Sequence, residues 1–269
     1  MFVSLLANIT FVYMTHKYKY GLVLSGGGTR GFAHLGVISA LQELGIRPDV
    51  ISGVSAGAIV GAFIAAGIPP HEVLKIFKKG WFFQYTKIHL PVDGLLKLDG
   101  VKEIIEKEIG IKKIEDLEIP FHICVSNLNK GSAEYKNKGP LADTVLASAS
   151  IPVIFAPVSL GRYLYVDGGL MDNIPVEPIE KDCKNLIVSN ISPINPKANL
   201  KNLVQIATRT VYMSVNVKSE RVKKQATYYI EPKGIDKYDI LLRKHADELY
   251  ELGYKSTMDV FKKKAISNS

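Results

Sequence analysis

Short apolar runs alternate along the chain with segments whose apolar residues recur every three or four positions. Tyr20–Ser25 (YGLVLS) is a buried-strand run that leads into Gly26-Gly27-Gly28-Thr29-Arg30-Gly31. Val37, Ile38, Leu41 and Leu44 then share one helical face, and Gly45 stands where a C-terminal cap is expected. Asp49–Ser52 predicts a second short strand, running into Gly53-Val54-Ser55-Ala56-Gly57. The next helix, about 56–66, is apolar on every side and therefore belongs in a core; Gly67 and Pro69-Pro70 stop it. Residues 71–118 predict less regular helices around Trp81-Phe82-Phe83-Gln84-Tyr85, with a charged helix near 99–109.

Farther on, Phe121–Asn127, Ala133–Lys136, Tyr163–Val166 and Asn185–Ser189 read as strands. Leu141–Ser148 reads as a short helix, Ile151–Pro157 as a proline-rich loop, and 200–224 and 239–263 as closing helices. Strands alternating with helices predict a three-layer α/β/α fold around a largely parallel central sheet. One domain is expected over 18–269, behind an apolar extension, 1–17.

Composition narrows the classes. Of 269 residues 47% are apolar and 22% charged, which excludes disorder, collagen and coiled coil. Cys124 and Cys183 offer no disulfide framework and no zinc spacing, so a reducing compartment and packed thiols are expected. The net charge of +8 suits an anionic surface, phospholipid or nucleic acid, without choosing between them. Residues 1–14 are uncharged and shorter than the ~20 needed to cross a bilayer. Lys17 and Lys19 follow that stretch instead of preceding it, unlike a secretory signal. The expectation is a soluble or peripheral protein, cytoplasmic or at the inner membrane face.

Strand, Gly53-x-Ser55-x-Gly57, apolar helix is the context that gives this motif chemical meaning. A serine on a sharp turn needs flanks without side chains, and the helix start beyond it favours negative charge. The bland alternative is that Ser55 only caps the helix. Gly26–Gly31 after the first strand fits two uses. As a dinucleotide fingerprint it requires an acid at the end of the second strand, but the candidate, Asp49, precedes that strand. As an oxyanion hole it points backbone N–H groups at a developing alkoxide beside the serine.

The proton acceptor is less obvious. His71 starts a helix, His89 lies in the aromatic stretch and His122 lies inside a strand. His245 falls mid-helix among charges. Asp167 ends a strand ahead of Gly168-Gly169; in a parallel sheet the strand ends share one edge, which lets it face Ser55. A free aspartate near pKa ~3.9 is a poor base, so burial must raise it. The alternative is that Asp-Gly-Gly is a plain turn.

With the glycine loop 26–31, the elbow 53–57 and Asp167-Gly168-Gly169 in order, the sequence resembles the patatin-like phospholipase family. Ala147-Ser148-Ala149-Ser150-Ile151-Pro152 and Asp172-Asn173-Ile174-Pro175-Val176 match as well. The resemblance covers about 18–190 and continues to Glu251-Leu252-Gly253-Tyr254. It implies a Ser-Asp dyad without histidine, no metal or cofactor, and hydrolysis of acyl esters in phospholipid or other lipid, with no nucleic-acid partner. Ser55 would be the nucleophile and Asp167 the proton acceptor. The N–H groups of Gly26, Gly27, Gly28, Thr29, Arg30 and Gly31 would form the oxyanion hole, Gly27 and Gly28 above all. Asn173 and Pro175 would be structural. The chain departs in its apolar extension and in Gly169, where many relatives carry alanine; the latter should matter little.

Three other readings stand beside this one: an ordinary α/β-hydrolase esterase using His245, a nucleotide-binding protein using 26–31, and a lipid-binding protein whose serine is vestigial. Arg30 is open to pairing with a lipid phosphate or a carboxylate. The aromatic stretch with Lys78, Lys79 and Lys87 is a candidate acyl channel or bilayer contact. Lys218, Arg221, Lys223 and Lys224, with Lys262–Lys264, are candidate contacts to anionic lipid.

Overall fold

The computed structural model describes residues 16–79, 98–152, 154–194, 219–240 and 244–267, with isolated helical positions at 206, 209, 210 and 213. The expectations for 1–15, for Trp81–Tyr85 and Lys87, for His89, for Lys218 and for most of a helix at 200–218 lie outside the described residues.

Among the described residues eight strands form one mixed sheet: β1 Tyr18–Leu24, β2 Val50–Val54, β3 Phe121–Asn127, β4 Ser132–Lys136, β5 Val158–Leu160, β6 Tyr163–Asp167, β7 Cys183–Ser189 and β8 Tyr228–Ile230. The hydrogen-bonded path is β5-β6-β3-β2-β1-β7-β8, with β4 also on β3. β3, β2, β1, β7 and β8 run parallel; β4, β5 and β6 run against their neighbours. Helices cover both faces, as the strand–helix alternation predicts. They are α1 Phe32–Glu43, α2 Ala56–Ala65, α3 Pro70–Lys79, α4 Asp99–Ile109, α5 Leu141–Ala149, α6 Ser219–Gln225 and α7 Ala246–Ser267.

The alternation of side chains along each strand sorts the core into layers. Leu22 and Leu24 of β1 join the large cluster with α1, α2, α4 and α5, whereas Val23 faces Ile174, Val176, Ile179 and Val222 of α6. All ten residues of α2 are buried, which is why that helix shows no polar face. α7 lies on α1 backbone to backbone: a Cβ on Gly253 would run into the Ala33 carbonyl, and one on Gly36 into that of Tyr250. Both thiols are free and buried.

Sequence and structure part at the short and flanking pieces. β5 and β8 have three residues each, too few for a readable alternation. α7 begins at Ala246, so His245 precedes the helix instead of sitting in its middle. β6 is antiparallel to β3, so Asp167 does not reach Ser55 as one of several parallel strand ends.

Candidate active site

β3 shows why the two residues nonetheless meet. β4 pairs with 123–127 along one edge of β3, leaving the other edge to β2 and β6. β2 pairs with 121–124 there, ending at Val54↔Cys124, and β6 pairs with 125–127, ending at Val125↔Asp167. A strand has two hydrogen-bonding edges, so β2 and β6 share one lane and point at each other, tip to tip. Ser55 is the residue beyond one tip and Asp167 is the other tip.

Ser55 Oγ donates to Asp167 Oδ2 at 2.7 Å, and each residue is only 4% exposed. Ser55 sits at φ 54, ψ −121, the one non-glycine with positive φ among the described residues. Such a backbone costs about 1–3 kcal/mol and persists only where its surroundings impose it. They do so here. A Cβ on Gly53 would lie 2.6 Å from the Gly57 carbonyl oxygen, and one on Gly57 would strike the Leu24 carbonyl. The Ser55 carbonyl accepts the N–H groups of Ala58 and Ile59, which starts α2. Its own N–H donates to Ser148 Oγ at 2.9 Å, and Ser148 Oγ donates to the Cys124 carbonyl at 2.7 Å. Ser148 thus ties the elbow to β3. The sequence flagged it only as part of a matching stretch.

Asp167 is held from its other side. Its Oδ1 accepts the Gly169 N–H at 2.7 Å, and Ser126 Oγ donates to its main-chain carbonyl at 2.9 Å. Burial pushes the carboxyl pKa up to about 6, against the opposing pull of the Ser55 and Gly169 hydrogen bonds. A group titrating there is a far better proton acceptor at neutral pH than a free aspartate. Gly169 is not a neutral departure in this chain. A Cβ there would stand 2.9 Å from Asp167 Oδ1 and 2.8 Å from Asn173 Oδ1, so alanine would push on the carboxylate itself.

The glycine loop divides by what its N–H groups already do. Gly26 donates to the Asn173 carbonyl, Thr29 to Ile240 and Arg30 to Gly27. Gly27 and Gly28, by contrast, have N–H groups with no acceptor among the described residues. Gly28, Thr29, Gly31 and Ser55 line one cavity, of about 760 Å³ including its open mouth. Its other walls are apolar, among them Phe32, Leu35, Ile59, Phe77, Leu98 and Phe155. The Arg30 guanidinium faces away from a phosphate role: Nε donates to the Tyr238 carbonyl at 2.9 Å and its terminal nitrogens to those of Asp236 and Ile191.

Behind the loop lies a residue the sequence reading passed over. His34 of α1 is fully buried, with Nε2 2.9 Å from the Ser25 carbonyl and Nδ1 2.8 Å from Ser189 Oγ. A carbonyl only accepts, so Nε2 carries the hydrogen and Nδ1 receives the serine's. Burial pushes the pKa down to about 4, keeping the ring neutral. The ring joins the ends of β1 and β7 beneath Gly26. Only histidines after Ser55 come late enough for the usual chain order, so the sequence carries no signal for His34.

Among the described residues, the other histidines after Ser55 do not approach it. His245 Nδ1 lies 3.0 Å from Glu248 Oε1 at the start of α7, His71 pairs with Glu72, and His122 is half-buried in β3. Asp49 Oδ2 accepts the Tyr20 N–H at 2.7 Å, which occupies the acid a dinucleotide site would have wanted elsewhere. Among the described residues no three His, Cys, Asp or Glu side chains converge as metal ligands, and no helix is long and apolar enough to cross a membrane.

Residues 22–179 match the family model described as patatin-like phospholipase. The chain is 28% identical to Lysophospholipase NTE1 of Candida albicans across 90% of its own length and 20% of the relative's. It is 30% identical to Lysophospholipase nte1 of Emericella nidulans (87% and 17%) and 28% identical to Neuropathy target esterase sws of Drosophila melanogaster (87% and 19%). The chain thus spans about a fifth of the length of the curated relatives it matches. Among solved structures, VipD from Legionella pneumophila aligns over 92% of this chain and 67% of its own, with TM-score 0.54 and 16% identity, a likeness of fold.

Proposed function

The chain belongs to the patatin-like phospholipase family, and on that premise we propose that it is a serine hydrolase of lipid acyl esters, with Ser55 and Asp167 as a dyad. The observation that carries the reading is the 2.7 Å hydrogen bond from Ser55 Oγ to a buried carboxylate whose pKa stands near 6.

Ser55 Oγ attacks the acyl carbonyl while its proton passes to Asp167 Oδ2. The negative charge gathers on the former carbonyl oxygen, where the uncommitted N–H groups of Gly27 and Gly28 receive it; one such donor is typically worth about 3 kcal/mol. Collapse expels the alcohol oxygen, which takes the proton from Asp167 and leaves an acyl-serine. Water then gives a proton to Asp167 and its oxygen to the acyl carbon. The second collapse returns the proton to Ser55 and frees a fatty acid. Asp167 needs no imidazole relay, because its Oδ1 is already fixed by Gly169 and its pKa is raised by burial.

The substrate class is a lipid with a single acyl chain, the lysophospholipid type. The apolar cavity beside Ser55 and the names carried by the fungal relatives support this. A fluorophosphonate probe tests the nucleophile: it labels the wild type and the His245→Ala variant alike, and Ser55→Ala not at all. A folded His245→Ala protein that neither labels nor hydrolyses esters would instead favour the ordinary esterase triad.

A further inference from the structure

The C-terminal edge of the sheet, where Ser55 lies, carries a second feature. β6 runs outward from Asp167, and its hairpin with β5 and the turn between β3 and β4 project past the tip of β2. Leu128 in that turn is 47% exposed and Leu164 of β6 is 41% exposed. The two are locked together: the Leu128 N–H donates to the Leu164 carbonyl at 2.9 Å, and the Leu164 N–H donates to Asn129 Oδ1 at 2.8 Å. Leu164 therefore has both backbone groups satisfied, so entering a medium without water orphans neither.

At the same end of the sheet, cations gather on the ring of Tyr163, the residue before Leu164 in β6. Arg162 and Lys130 stand 4.9 and 4.6 Å from the centre of the Tyr163 ring. Glu134 is the acid nearby, and it is matched by Lys130 at 2.9 Å and Lys136 at 2.6 Å. Arg162 has no carboxylate partner among the described residues. Apolar tips, an amphipathic aromatic ring and surplus positive charge are the chemistry that suits the headgroup layer of a membrane.

The basic runs that stand out in the sequence lie elsewhere. Lys264 donates to the Thr227 carbonyl just before β8 and lies over the Tyr228 ring, and Lys223 lies over the Tyr229 ring. β8 is parallel to β7, so its start belongs to the edge opposite Ser55. A membrane held there would sit at the wrong end of the molecule for the site.

We infer that Leu128, Leu164, Arg162, Lys130 and Tyr163 form the surface by which the protein docks on an anionic phospholipid bilayer. The inference rests on the proposed lipid-ester function for its purpose, and on the exposed patch alone for its geometry. Co-sedimentation tests it, with vesicles of phosphatidylcholine alone or mixed with phosphatidylserine, alongside hydrolysis of a soluble short-chain ester. Wild type is expected to sediment with the mixed vesicles. Leu128→Ser/Leu164→Ser together should lower the partition roughly tenfold or more, and Arg162→Gln about fivefold. Both variants should keep soluble-ester hydrolysis, which also certifies their fold, and Lys262→Gln/Lys263→Gln/Lys264→Gln should bind as wild type does. Two results overturn the docking surface: wild type that ignores mixed vesicles, or binding lost with the lysine triple and kept by the leucine pair. Docking that persists in a wild type unable to hydrolyse any ester would strike the functional reading and leave the surface standing.

Discussion

β2 and β6 occupy the same lane beside β3 and reach it by opposite routes. β2 is buried along its whole length between β1 and β3, and it delivers Ser55 through a turn that two close-packed glycines force into a strained backbone. β6 begins exposed in a hairpin, runs antiparallel to β3, and becomes buried only over Tyr165–Asp167. The proposed nucleophile is thus placed by the parallel core and the carboxylate by a flank added to it. The proposed dyad is therefore a seam between two pieces of structure. Ser148 and Ser126 are its stitches, tying the elbow and the carboxylate strand to β3.

Damage to the two sides of the seam should differ in kind. On the flank, Asp167→Asn removes the proposed proton acceptor while leaving the packing, and is expected to lower kcat about 10³–10⁴-fold with an ordinary circular dichroism spectrum. The same substitution should reveal what the buried carboxylate costs. Because burial lifts its pKa from 3.8 to about 6, the folded state holds this proton more tightly than the unfolded chain. The stability it contributes is complete below pH 3.8 and is lost as pH rises to about 6, a change of about 3 kcal/mol. The Tm of Asp167→Asn relative to wild type should therefore be higher at pH 8 than at pH 4. On the core side, Ser148→Ala orphans the Ser55 N–H, worth about 1–3 kcal/mol of stability. It should also slow acylation about tenfold with KM unchanged, because the elbow loosens without touching the cavity. Equal losses from Ser148→Ala in kcat and in binding would argue that the serine serves the cavity and not the elbow.

The same contrast explains what the sequence made legible. The parallel core announces itself: β1, β2 and β7 are apolar runs, α2 is apolar all round, and the elbow glycines stand at fixed spacing. The flank does not. β5 has three residues, strand direction leaves no trace in side-chain alternation, and the antiparallel course of β6 replaces the shared parallel edge that the sequence suggests for Asp167. Nor does the sequence tell which N–H groups of the glycine loop are spent, since Gly26, Thr29 and Arg30 bond to carbonyls at 173, 240 and 27. His34 and Ser148 act through buried contacts made by distant segments, so nothing beside them in the chain marks them.

The proposed dyad requires that a carboxylate alone take the proton from Ser55. Single-turnover acylation by a soluble ester, followed against pH in wild type and His245→Ala side by side, tests it most directly. Both proteins should gain activity through one deprotonation with its midpoint near 6, the value burial gives Asp167. A midpoint that moves, or acylation that vanishes, when the imidazole at 245 is removed would contradict it.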